Sequence, residues 1–92
     1  MKVSVLFDGS NANGAGTAQR FEQAKDESGL CQAVFTGATA TVALQGSLDG
    51  TNWVDVKTFT DSGGSAVLIF PNMRVNITGS NDAGTIKVLL GD

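Results

Sequence analysis

Apolar and polar positions alternate along this chain with period two, in short runs separated by turn-forming residues, which predicts strands. In residues 73–79, Met73, Val75 and Ile77 fall on one side and Arg74, Asn76 and Thr78 on the other. Residues 85–90 repeat the pattern: Ile86, Val88 and Leu90 oppose Lys87, with Leu89 left on the polar side. Within residues 39–46, Val42 and Leu44 oppose Thr41 and Ala43. Each such strand has one dry and one wetter face, so two sheets must bury their dry faces together.

Further runs occupy residues 3–7, 18–24, 30–35, 52–59 and 66–70. The segment 18–24 is weakly patterned and also fits a single helical turn; strand is favoured. Between the runs stand a loop at 8–17 (DGSNANGAGT), a charged turn at 25–29 (KDESG), and turns at 61–64 (DSGG), 71–72 (PN) and 80–84 (SNDAG). Gly, Asn, Asp, Ser and Pro supply the backbone conformations that turns require. The clearest local signal is 41–56, where Asp49-Gly50 between two β-prone runs predicts a hairpin with positive φ in its turn. Short strands at this spacing predict an all-β fold, an antiparallel β-sandwich or jelly-roll-like barrel of about 7–8 strands. Residues 1–92 read as a single domain, with 1–17 as an N-terminal arm and loop.

Two runs break the alternation. Residues 66–70 (AVLIF) are apolar on both faces, and in 52–59 Trp53 and Phe59 share a side with Asp55 and Lys57, opposite Val54 and Val56. A bulge or strong twist would re-aim Trp53 into the core. Alternatively, Trp53, Phe59, Leu68, Phe70 and Leu89 form a second apolar surface that a partner subunit covers. On that reading Trp53, Phe59, Leu68 and Phe70 are the candidate interface anchors.

Composition narrows the function classes. The chain is 41% hydrophobic and only 16% charged, with 12 Gly, which suits strands and turns better than disorder. Net charge is −3 and the six basic residues are scattered, so no stripe exists to neutralise phosphates and no nucleic-acid partner is expected. No apolar segment approaches the ~18 residues of a membrane span, so no membrane partner is expected. The short apolar run 3–7, broken by Ser4 and followed by Asp8-Gly9, does not read as a secretory leader, and folding in a reducing cytoplasm is expected. Cys31 is alone, forms no internal disulfide, and is expected as a small buried apolar side chain.

Chemistry is nearly absent. The chain has no His and no Tyr, so Ser-His and Cys-His nucleophiles are impossible, and no enzymatic activity, cofactor or metal is expected. Asp8 opens a stretch reminiscent of a calcium loop, but Ala12, Asn13 and Gln19 stand where an oxygen ligand, a Gly and an acid belong. Gly14-Ala15-Gly16 lacks the third Gly of a dinucleotide fingerprint, and Asn76-Ile77-Thr78 is a glycosylation triplet expected by chance. Most of the nine acids lie in turns, where Asp bonds the local backbone.

Residues 44–56, LQGSLDGTNWVDV, resemble a recurring hairpin of small β-sandwich virion proteins of tailed bacteriophages, in which an Asp-Gly turn leads to a Trp-bearing strand. Residues 73–79, MRVNITG, are similar to the R-V-x-(V/I)-(S/T)-G strand of those proteins, which a Gly-containing turn and a last alternating strand follow. The resemblance covers roughly residues 39–90. It implies a structural role on the capsid surface of a virion assembled in the host cytoplasm. There such proteins decorate or cement the shell by binding the major capsid protein, often as homotrimers. Residues 1–17 would then be a capsid-contacting arm. A similar turn occurs in discoidin-like carbohydrate-binding sandwiches. That resemblance implies the alternative of a carbohydrate-binding or host-recognition module, with Trp53 stacked on a sugar and Asp49, Asn52 and Asp55 accepting its hydroxyls.

Overall fold

A computed structural model describes residues 2–21 and 28–91. Its strands are β1 (Val3–Ser10), β2 (Gly14–Ala15), β3 (Gln19–Arg20), β4 (Ser28–Thr36), β5 (Thr41–Ser47), β6 (Val54–Phe59), β7 (Gly63–Leu68), β8 (Asn72–Thr78) and β9 (Thr85–Gly91). They form two sheets, one of four strands in the order β1-β9-β4-β7 and one of five in the order β2-β8-β5-β6, with β3 also on β8. Every pairing is antiparallel.

Taking β2 and β3 as two halves of one interrupted strand, the partners nest: β1 with β9, β2 and β3 with β8, β4 with β7, β5 with β6. This is a long antiparallel hairpin, with β5 and β6 at its tip, rolled until β9 meets β4 and β8 meets β5. A double sheet wound in this way is a jelly roll. The sandwich expected from periodicity is therefore present.

The dry faces meet where alternation placed them. Val42 and Leu44, Met73, Val75 and Ile77, and Ile86, Val88 and Leu90 are all fully buried. Cys31, Ala33, Leu6, Ala40, Val67, Ile69 and Phe59 complete the cluster. The hairpin at β5 and β6 is also present, but its loop differs from a two-residue turn. It spans residues 48–53, and positive φ is confined to Gly50, at 80°. Asp49 organises it as a hub: its Oδ1 accepts from the Thr51 and Asn52 amides, both at 2.8 Å, and its Oδ2 accepts from Asn52 Nδ2 at 2.7 Å.

Other boundaries moved. Residues 3–10 are an edge strand paired to β9, Asn11 is buried and residues 14–15 pair with β8, so the N-terminal segment is built into the sandwich and is no free arm. Gly63 and Gly64 begin β7 rather than ending a turn. Of the described residues 18–21, only Gln19 and Arg20 are strand. Residues 22–24 and most of the predicted turn at 25–29 lie outside the described residues, while Ser28 and Gly29 open β4.

One end of the sandwich is tied by Asn11. Its Nδ2 faces the Thr39 carbonyl at 3.2 Å, Asn81 Oδ1 at 2.9 Å and the Ala83 carbonyl at 3.1 Å. Its backbone amide donates to the Gly84 carbonyl, and its own carbonyl accepts from Ser80 Oγ. Three connections that would otherwise be independent loops are thereby held in one arrangement, and the sheet edges above them are fixed.

Candidate functional site

Among the described residues, four of the six exposed large aliphatic side chains, Val3, Val5, Leu30 and Leu68, lie on the outer face of the four-stranded sheet. Two cross-strand rows build it: Val3, Gly91, Leu30 and Ala66 in one, Val5, Leu89, Gln32 and Gly64 in the next. Val3 and Leu68 are each 62% exposed, Leu30 54% and Val5 48%. With no side chain at Gly91 or Gly64, the rows leave an open trough of about 700 Å³ lined chiefly by Val3, Leu30, Leu89, Gln32 and Gly63–Ala66. The exposed aliphatic area is on the order of 400 Å², within the range of the largest apolar patch on a soluble domain, a patch that is often functional.

Irregular pairing creates this face. Plain alternation in β1 would put Val3, Val5 and Phe7 on one dry side. The register instead shifts between Val5 and Phe7. Leu6 enters the core, Phe7 packs against it, and Val3 and Val5 are left outside. In β4 the smaller set, Cys31 and Ala33, turns inward and Leu30 outward. There is little room on the inner side: a side chain at Gly29, in the inner row, would strike the Gly91 carbonyl and Ile69.

The four anchors expected from sequence do not share a surface. Leu68 is exposed on the trough side, and Leu89 lines the trough two strands away, across Gln32 of β4 from Gly64. Phe59 is only 7% exposed and belongs to this chain's own core. Phe70 is half-buried against that core, with its ring laid on Gly46, where any Cβ would collide with it. Trp53 is half-buried on the outer face of the other sheet. The cause is a bulge in β6. Lys57 pairs with Leu44 and Asp55 with Gln45, which leaves Val56 as an extra residue. The parity of the strand flips there, so Phe59 goes in while Trp53 stays out.

Trp53 is capped by Arg74, whose guanidinium carbon lies 4.2 Å from the ring centroid. Arg74 Nε donates to Gln45 Oε1 at 2.8 Å, and Gln45 Nε2 donates to Asp55 Oδ1 at 2.9 Å. The groups a sugar would need are thus engaged within the chain. Asp49 accepts from its own loop, and the Asn52 and Thr51 amides together with the Asn52 and Ser47 side chains hold its carboxyl well below the usual carboxylate range.

Reactive groups are sparse. Cys31 is buried, and burial pushes its thiol up to about 11, so the nucleophilic thiolate is suppressed. Among the described residues no three His, Cys, Asp or Glu side chains are placed to hold a metal. Comparison with protein families, curated proteins and solved structures gave no match. The trough residues Val3, Val5 and Leu30 escaped the sequence reading, because a one-residue shift in β1 and the choice of face in β4 leave no mark on composition. The run AVLIF, apolar on both sides, was the visible signal, and it pointed to Leu68.

Proposed function

We propose that this chain is a non-enzymatic virion structural subunit, a capsid decoration protein of a tailed phage that binds the major capsid protein as an oligomer and stabilises the shell. The observation that carries the reading is the aliphatic trough on the outer face of the four-stranded sheet, an apolar surface left open on a small domain. The resemblance of residues 44–56 and 73–79 to small phage virion proteins supports the choice of partner. The jelly roll is compatible with it, but a fold carries no function by itself.

Docking works by removing the trough from water. At about 25 cal/mol per Å², ~400 Å² of aliphatic surface contributes on the order of 10 kcal/mol gross, before association costs. Weak contacts then gain strength by repetition over a shell, through effective concentration.

Co-sedimentation tests this with capsids stripped of small surface proteins, taken from the virus that carries the gene. Wild-type chain pellets with the capsids and raises their melting temperature. Leu30→Asp, which alters a half-exposed side chain in the middle of the trough, keeps the fold and loses both effects. Wild-type chain that stays in the supernatant at saturating concentration refutes the proposal.

A further inference from the structure

Sheet edges are the places where another chain can add a strand, and folded proteins normally blunt them with bulges, charges, Pro or very short strands. Among the described residues three of the four edges of this sandwich are blunted. β1 carries the irregularity at Leu6 and the charge of Asp8. The edge made by β2 and β3 is two fragments of two residues each. β6 has the bulge at Val56, flanked by Asp55 and Lys57. β7 has none of these devices. It is six residues long, uncharged and free of Pro, with an unbroken ladder against β4 from Ser28 opposite Leu68 to Ala33 opposite Gly63.

We infer that the open edge of β7 pairs with β7 of a second copy of this chain, antiparallel and two-fold, with Ala66 opposite Ala66. The register follows from the side chains. A two-fold contact is self-complementary, so whatever protrudes on the strand must fit what is hollow on it. With Ala66 on the axis, Leu68 of each copy lies opposite Gly64 of the other, on the same outer face. Leu68 is a protruding aliphatic side chain, and Gly63 and Gly64 form the hollow end of the trough. A slip of one residue would turn Leu68 to the opposite face from the trough.

The consequence is an area argument. One chain exposes ~400 Å² of aliphatic surface, about half of the ~800 Å² per partner that a standard stable interface uses. Two copies joined at β7 make one eight-stranded sheet. Val3, Val5, Leu30 and Leu89 of both copies then lie on a single continuous face, larger than either copy offers alone. The pairing supplies the oligomer named in the proposed function but does not depend on what the joined face docks on. It differs from the trimer that the phage resemblance implies, since a three-fold ring needs two different patches in contact.

The test is Ala66→Cys in the full chain. Residues directly opposite in an antiparallel pair have Cα atoms about 4.5–5.5 Å apart, within disulfide reach. The expected result is a dimeric native mass for wild-type chain at about 100 μM, in the range of weak contacts, with A66C forming a disulfide-linked dimer on mild oxidation. Thr58→Cys, exposed on the β6 edge, stays unlinked under the same conditions. Leu68→Lys, at an exposed site that leaves the core intact, shifts the mass to monomer with an unchanged circular dichroism spectrum. A wild-type monomer, a trimer, or equal linking of A66C and T58C overturns the inference. Capsid co-sedimentation separates the two proposals: a linked dimer that fails to pellet sinks only the docking partner, and a monomer that pellets sinks the pairing and the oligomeric mode of binding but leaves the docking partner standing.

Discussion

Replacing Asn11 by Asp changes one NH₂ to an oxygen and adds a charge, at a position only 3% exposed. The Asn11 amide faces three oxygens, those of Thr39, Asn81 and Ala83, at 2.9–3.2 Å. Asn11→Ala removes the donor and strands the carbonyls of two loops, at a cost of about 2–3 kcal/mol. For a domain of this size that is a fall of roughly 10–20 °C in Tm. Asn11→Asp is worse at neutral pH, because a carboxylate then points at three acceptors with no proton to offer. Burial and those oxygens disfavour the ionised form, so the folded-state pKa of the new acid lies above its unfolded value of about 3.9. A raised pKa gives stability that is present below the unfolded value and lost as pH rises towards the folded one, at about 1.4 kcal/mol per unit. The protonated acid still donates one hydrogen bond, so N11D should approach wild type near pH 4 and fall below N11A by pH 7. Thermal unfolding of all three proteins at pH 4–8, each variant referred to wild type at the same pH, measures this. An N11D protein within about 0.5 kcal/mol of wild type at pH 7, or a deficit that is flat with pH, would show that the Asn11 network does not hold the loops.

Three further outcomes follow from single groups. Asp49 has its carboxyl held down by amide donors, so its contribution is present above the ordinary carboxylate range and is lost as pH falls below it; Asp49→Asn should therefore flatten the acid limb of the stability curve, and an unchanged limb would exclude this loop as its source. Cys31, with a thiol near 11, should resist alkylation at pH 8 in the native protein and react only as fast as the domain unfolds; rapid labelling without denaturant would contradict the packing of β4 against β9. Arg74→Ala uncovers the only Trp of the chain at a cost of about 0.5–1 kcal/mol; iodide should then quench Trp53 fluorescence more strongly, and an unchanged quenching constant would mean that the guanidinium does not shield the ring.

Much of the fold was legible before any coordinates. In β5, β8 and β9 period two named the residues that face the opposite sheet, although Ala43 and Ser47 of β5 are buried as well and Leu89 of β9 lines the outer trough, and Cys31 was recognisable as a core side chain. Turn chemistry located the connections after β5, β6 and β8, although the Asp49-Gly50 turn proved to be a six-residue loop built on a carboxylate hub. The candidate site was legible in two residues, Leu68 and Leu89. Leu68 was named because its strand is apolar on both sides, whereas Phe59 and Phe70 were named with it and turned out to pack inside the chain.

The sequence by itself determined that this protein is an antiparallel β domain with two dry faces, because strand periodicity and turn residues act over only a few positions. Tertiary structure decided which face of β1 and β4 turns outward, where the extra residues Leu6 and Val56 enter, and which edge stays open. Those choices depend on volume already taken by the facing sheet and on pairing between strands distant in the chain. A shift of one residue there exchanges inside for outside without altering the local pattern at all.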